Sequence, residues 1–104
     1  MKILTICQRG NCRSVACAYI LKDRRGMNDV LACGIETATF DTFVMLGNWA
    51  DKILVCANSM VYEKIPDEFK VKTALLDIGR DRWDNCMNSE LLKILDQKLN
   101  EIDL

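Results

Sequence analysis

The segment Cys7-Gln8-Arg9-Gly10-Asn11-Cys12-Arg13-Ser14 sets a thiol and a guanidinium six positions apart, with a hydroxyl directly after them. On one loop these groups suit a phosphate dianion. The planar fork of Arg13 matches two phosphate oxygens in a way lysine does not reproduce. A thiolate attacks phosphorus and carries the phosphoryl group as a phosphocysteine. A free thiol titrates near ~8.5, and a helix N-terminus with cations beside it lowers that value by several units. The Ser14 hydroxyl donates to such a thiolate and helps it both as an anion and as a leaving group. Gly10 supplies a positive φ that other residues resist, and Asn11 tolerates one next best. Arg9, at the lip of the loop, either attracts an anionic substrate or is simply solvated.

This loop needs a strand before it and a helix after it. Lys2 to Ile6 reads as a short buried strand. Val15, Ala16, Tyr19, Ile20 and Leu21 recur at helical spacing from Ser14 to about Arg24, with Ser14 as the expected N-cap and Gly26 as the stop. A second strand is expected over Asp29 to Cys33, ended by Gly34. An amphipathic helix follows over Asp41 to about Trp49, and the clearest strand of the chain over Lys52 to Ala57. Asn58-Ser59 opens a short helix over Met60 to Lys64, which Ile65-Pro66 ends. Val71 to Ile78 reads as the fourth strand, residues 79–88 as a polar irregular stretch, and the run after Ser89 as a last helix capped by that serine. Strand and helix alternate four times, the pattern of an α/β fold with a parallel sheet covered on both faces. Ligands of open parallel sheets sit at the carboxyl ends of strands, at a topological switch point. With the first strand central, that point is where Cys7 falls.

The chain has 104 residues and reads as a single domain over 1–104. Its net charge of -1 exerts no global pull on nucleic acid or an anionic membrane, so neither is an expected partner and any anion site must be local. With no histidine and no CxxC pair, neither a metal nor any other cofactor is indicated. Cys17, Cys33 and Cys56 sit in apolar patterns and read as buried small hydrophobes. No run approaches membrane-spanning length, and the cysteine usage suits a reduced, cytoplasmic protein.

With these residues in view, the chain resembles the low-molecular-weight protein tyrosine phosphatases, and within them a short branch of about a hundred residues. The likeness rests on Ile6-Cys7 through Cys12-Arg13-Ser14, on Ala32-Cys33-Gly34 after the second strand, on Trp49-Ala50-Asp51-Lys52-Ile53 leading into the third, and on Leu76 to Trp83 after the fourth. The resemblance implies a three-layer, flavodoxin-like sandwich with a four-stranded parallel sheet in the order 2-1-3-4. It implies metal-independent hydrolysis of a phosphotyrosine protein or small aryl phosphate by a monomer or weak homodimer. Cys7 would be the nucleophile and Arg13 the phosphate clamp. Ser14 would stabilise the thiolate, and Gln8, Arg9, Gly10, Asn11 and Cys12 would turn backbone N–H groups to the phosphate. The chain departs from the family where Gly10-Asn11 come one position late, Arg9 stands for the usual glycine and Val15 for the usual proline. Cys12 matches a cysteine that in the family forms a disulfide with the nucleophile; here it either does so or packs under the loop.

Expelling a phenolate at neutral pH calls for a proton donor, and without histidine that donor is a carboxylic acid. The family uses an aspartate followed by proline and aromatic residues late in the chain. Asp81-Arg82-Trp83 is closest to that pattern, which makes Asp81 the first choice, Asp77 the second and Asp84 the third. Trp83 either forms a wall for the substrate ring or packs over the last helix. Two other functions compete with the phosphatase reading. An arsenate-reductase-like thiol redox enzyme would need a resolving cysteine pair, of which only Cys86 lies in the right region. A non-catalytic phosphate- or phosphoprotein-binding module would keep the loop and lack the acid. A phosphotransfer component of sugar uptake would not need Arg13.

Overall fold

In the computed structural model, which describes residues 1–80 and 82–102, the first strand, β1 (Ile3–Cys7), is buried along its whole length. An unbroken apolar run of this kind belongs at the centre of a parallel sheet with both faces covered. β1 pairs in parallel with β2 (Val30–Gly34) on one side and with β3 (Lys52–Ala57) on the other, and β3 carries β4 (Thr73–Asp77) outward. The strand order is β2-β1-β3-β4, so the expected 2-1-3-4 sheet is the observed one.

Alternation along β1 divides the molecule into two cores. Ile3 faces a cluster built with the first and last helices, α1 (Arg13–Tyr19) and α5 (Ser89–Asn100). Leu4 and Ile6 face the opposite cluster, with Phe43 of α2 (Phe40–Trp49), Val61 of α3 (Ser59–Glu63) and Phe69 of the one-turn α4 (Asp67–Lys70). The result is a three-layer α/β sandwich. β1 changes neighbours at its carboxyl end, where one crossover leads to β2 and the next returns past it to β3.

The elements differ from the sequence reading mostly at their ends. α1 starts at Arg13, so Cys12 holds the N-cap position and Ser14 lies inside the first turn. The Ser14 hydroxyl is thereby released from capping and turned to the sulfur of Cys7. After Tyr19 the helix widens into a π turn over Ile20–Arg24 and ends at Gly26, whose φ is +68°. α5 is capped by Asn88 rather than Ser89: the Asn88 Oδ1 accepts from the N–H groups of Glu90 at 2.9 Å and Leu91 at 3.2 Å. α4 was not anticipated, because four residues after a proline are too few to show a period.

Candidate active site

Cys7 ends β1, and the chain turns at once through residues 8–12 into α1. Two glycines make this turn possible. Gly10 has a φ of +78°, in the left-handed region, so the displaced glycine of the loop takes the strained position. Gly34, which ends β2 beside Cys7, packs directly beneath it: a Cβ on Gly34 would stand 2.2 Å from the Arg9 carbonyl carbon, and one on Gly10 would stand 2.4 Å from the Gly34 nitrogen. The turn after β2 then fastens the loop from outside. Ile35 N–H donates to the Cys7 carbonyl at 2.9 Å, Glu36 N–H to the Gln8 carbonyl at 2.9 Å, and the Thr37 hydroxyl to the Arg9 carbonyl at 3.0 Å. The Gln8 side-chain amide adds a bond to Glu36 at 2.8 Å.

Inside this frame the Cys7 sulfur is buried, 3.2 Å from the Ser14 hydroxyl oxygen and 3.1 Å from the Gly10 nitrogen. Burial alone would raise its pKa. The Ser14 hydroxyl and the backbone N–H groups of Ser14, Gly10 and Cys12 outweigh that effect and leave the thiol below its ordinary value of 9.0. Its neighbours move the other way. Burial, aided by the charge of Cys7, pushes the Cys33 thiol up to about 11, and burial also raises Cys56, beside Cys17 in the helical core. Of Cys7, Cys33 and Cys56, Cys7 is thus the one whose thiolate this architecture favours. Backbone N–H groups converging on one sulfur also form a concavity suited to phosphate oxygens.

Arg13 is 1% exposed, an unusual burial for a guanidinium. Its Nη1 donates to the Gly79 carbonyl at 2.6 Å, while its Nε has no hydrogen-bond partner among the described residues. A buried cationic N–H of this kind is costly unless an anion meets it. Gly79, two residues past the end of β4, thereby touches Arg13, and Trp83 touches the loop, its carbonyl accepting from the Cys12 thiol at 3.7 Å. Cys12 is otherwise packed among the α1 and α5 residues.

The remaining sequence candidates are scattered. Arg9 and Asn11 are exposed at the lip and Gln8 is half-buried. Asp77 ends β4, exposed, with its Oδ1 accepting from Gly79 N–H at 3.4 Å. Asp84 is exposed, and Asp81, the first choice for the acid, lies outside the described residues. Trp83 is only 8% exposed and belongs to the α1/α5 core, with the Arg82 guanidinium 4.0 Å over its ring. The wall reading of Trp83 is therefore corrected to the packing one. Sequence reasoning missed Thr5, whose buried hydroxyl donates to the Ser14 carbonyl at 2.8 Å and ties the first turn of α1 to β1. A lone hydroxyl inside an apolar strand was the signal available.

No family model and no curated protein matches the chain. Solved structures do. The chain is similar to the YwlE arginine phosphatase from Geobacillus stearothermophilus (21% identity, TM-score 0.65, covering 96% of this chain and 90% of that one). It is similar to the tyrosine phosphatase AmsI from Erwinia amylovora (15% identity, TM-score 0.68, 99% and 93%). It is also similar to a low-molecular-weight phosphotyrosine phosphatase from Vibrio cholerae O395 (16% identity, TM-score 0.64, 97% and 95%). At these identities the likeness establishes a shared fold over nearly the whole chain.

Proposed function

We propose that this protein is a cysteine-dependent phosphomonoesterase acting on phosphotyrosine or a related aryl phosphate. The observation that carries it is a Cys7 sulfur at the switch point of the sheet, hydrogen-bonded by Ser14 and Gly10, with the buried Arg13 in the adjoining first turn of the helix. Two of the three fold relatives are tyrosine phosphatases by name, which supports the substrate class.

In the reaction the Cys7 thiolate attacks phosphorus and the bond from phosphorus to the aryl oxygen breaks. The loop N–H groups and Arg13 hold the equatorial oxygens. A carboxylic acid gives its proton to the departing phenolate. The resulting carboxylate then takes a proton from water, whose oxygen displaces sulfur from phosphorus. Orthophosphate leaves and the thiolate, held by Ser14, is restored. The acid is assigned to Asp81, which in the sequence lies between Gly79 and Trp83, both in contact with the phosphate loop. Asp77 is the second choice, since β3 lies between β4 and β1 and sets the two strand backbones about 10 Å apart.

Hydrolysis of para-nitrophenyl phosphate tests this. Cys7→Ser should abolish turnover. Asp81→Asn should lower kcat by about 100-fold for phenyl phosphate and by less for the activated nitrophenyl ester, whose leaving group needs little protonation. Phosphotyrosine should outrun phosphoarginine. A wild type without turnover that still binds phosphate would indicate the binding module, and arsenate-dependent consumption of thiols the redox enzyme.

A further inference from the structure

Beside the phosphate loop the surface opens into a cavity of about 300 Å³, lined by Ile35, Ala38, Phe40, Phe43, Lys64 and Pro66. It has three physical properties. Its floor is rigid: Phe43 is 4% exposed and meets Phe69 edge-on at 6.1 Å, and Phe69 lies so close to Gly47 that a Cβ there would come within 2.7 Å of the ring. Its lip is an apolar ring in water, Phe40 at 72% exposure. Its rim carries one cation, Lys64, whose nearest carboxylate is Glu36 at 4.0 Å, an exposed and loose pair that a ligand carboxylate can displace.

The cavity adjoins the Cys7 loop. Ile35, one of its walls, donates its N–H to the carbonyl of Cys7 and follows Gly34, the register partner of Cys7. Glu36, which pairs with Lys64, also holds the Gln8 side chain. A polypeptide whose phosphorylated side chain reaches Cys7 therefore runs past the turn that walls the cavity, and residues flanking the phosphorylated one come within reach of it. Trp83 is buried in the cluster on the other face of the sheet, whereas Phe40 holds an exposed aromatic ring at the cavity lip.

We propose that this cavity is a specificity subsite that takes an apolar side chain flanking the phosphorylated residue of a protein substrate, with Lys64 favouring an acidic neighbour. The proposal rests on the phosphatase reading above and narrows it to phosphorylated polypeptides. Its occupant belongs to the substrate chain itself, because the turn that walls the cavity, residues 35–38, also fastens the backbone of the Cys7 loop.

The test uses phosphotyrosine heptapeptides in an acidic background. A single leucine is moved through the two positions on each side of the phosphotyrosine, and an alanine peptide serves as control. Wild type should prefer one leucine position over the control by about tenfold in kcat/KM, carried by KM, as burial of one leucine side chain allows. Phe40→Ser, which removes the exposed ring, and Ala38→Leu, which fills the cavity, should each cut that preference to about twofold while nitrophenyl phosphate turnover stays within about twofold of wild type. Equal rates on all peptides by a wild type that hydrolyses nitrophenyl phosphate would overturn the subsite alone. Absence of turnover on every substrate would overturn the phosphatase reading and the subsite with it. A dimer in solution that Phe40→Ser dissociates, without any leucine preference, would assign the cavity to a second copy and also overturn the proposal.

Discussion

Burial as deep as that of Cys7 disfavours a thiolate, and the hydrogen bonds to its sulfur act against that by lowering its pKa. The sign of the shift has a measurable consequence. A thiol whose folded pKa lies below its unfolded value adds stability that is complete above 9.0 and is lost as pH falls through the folded value. Cys33, raised to about 11, acts oppositely: between 9.0 and 11 the unfolded chain gives up that proton first, so stability falls with rising pH. The two trends overlap near pH 9, which makes alkylation a cleaner readout for Cys7 than unfolding. Iodoacetamide labelling of Cys7, followed by peptide mass against pH, should show a midpoint below the ordinary thiol value in wild type. Ser14→Ala removes the first of the lowering hydrogen bonds and should move that midpoint upward. An unchanged midpoint would mean that the serine does not hold the thiolate. Cys7, Arg13 and Ser14 were legible because their types and spacing state a chemistry. The burial of Trp83 was not legible, because a tryptophan in a polar stretch looks the same whether its ring faces a substrate or the core.

The elements were legible where they repeat a period and illegible where a single contact decides. The four strands and the long helices follow from apolar spacing, and even the third strand's limits are as read. The shift of the α5 cap from Ser89 to Asn88 turns on which of two good capping residues reaches the Glu90 and Leu91 N–H groups, a matter of one residue's backbone. The close approach of Gly34 to the Cys7 loop is likewise hidden in the sequence, where the Ala-Cys-Gly triplet marks only the end of a strand. This contact predicts an asymmetry between glycines. Gly26→Ala meets nothing within 4 Å and should cost only its left-handed backbone, about 1 kcal/mol. Gly34→Ala drives a methyl into backbone at 2.2 Å, which no rotamer can relieve, and should cost about 3 kcal/mol and lower kcat by more than about tenfold as the loop moves off Cys7. Urea unfolding together with nitrophenyl phosphate kinetics checks both. Equal losses for the two variants would mean that β2 does not support the loop.

At the scale of the molecule, two cores on opposite faces of one sheet hold the phosphate loop between them, and the loop draws in the chain after β4 through Arg13 and Cys12. An anion bound there should therefore stabilise the whole fold and not merely order a turn. Orthophosphate at ten times its Kd adds about 1.4 kcal/mol to unfolding, which for a domain of this size raises Tm by roughly 5–10 °C. Cys7→Ser should show at least the wild-type rise, because it removes a thiolate that repels the dianion while keeping Arg13 and the N–H groups. Arg13→Lys keeps a charge but loses the fork that can meet two oxygens at once, and its rise should fall to half or less of wild type at the same phosphate concentration. Sulfate, equally divalent and tetrahedral, should reproduce the pattern, whereas chloride at matched ionic strength should not. Identical responses of all three proteins to phosphate and chloride would mean that salt stabilises the fold by screening alone, and that the buried guanidinium serves the Gly79 carbonyl and nothing else.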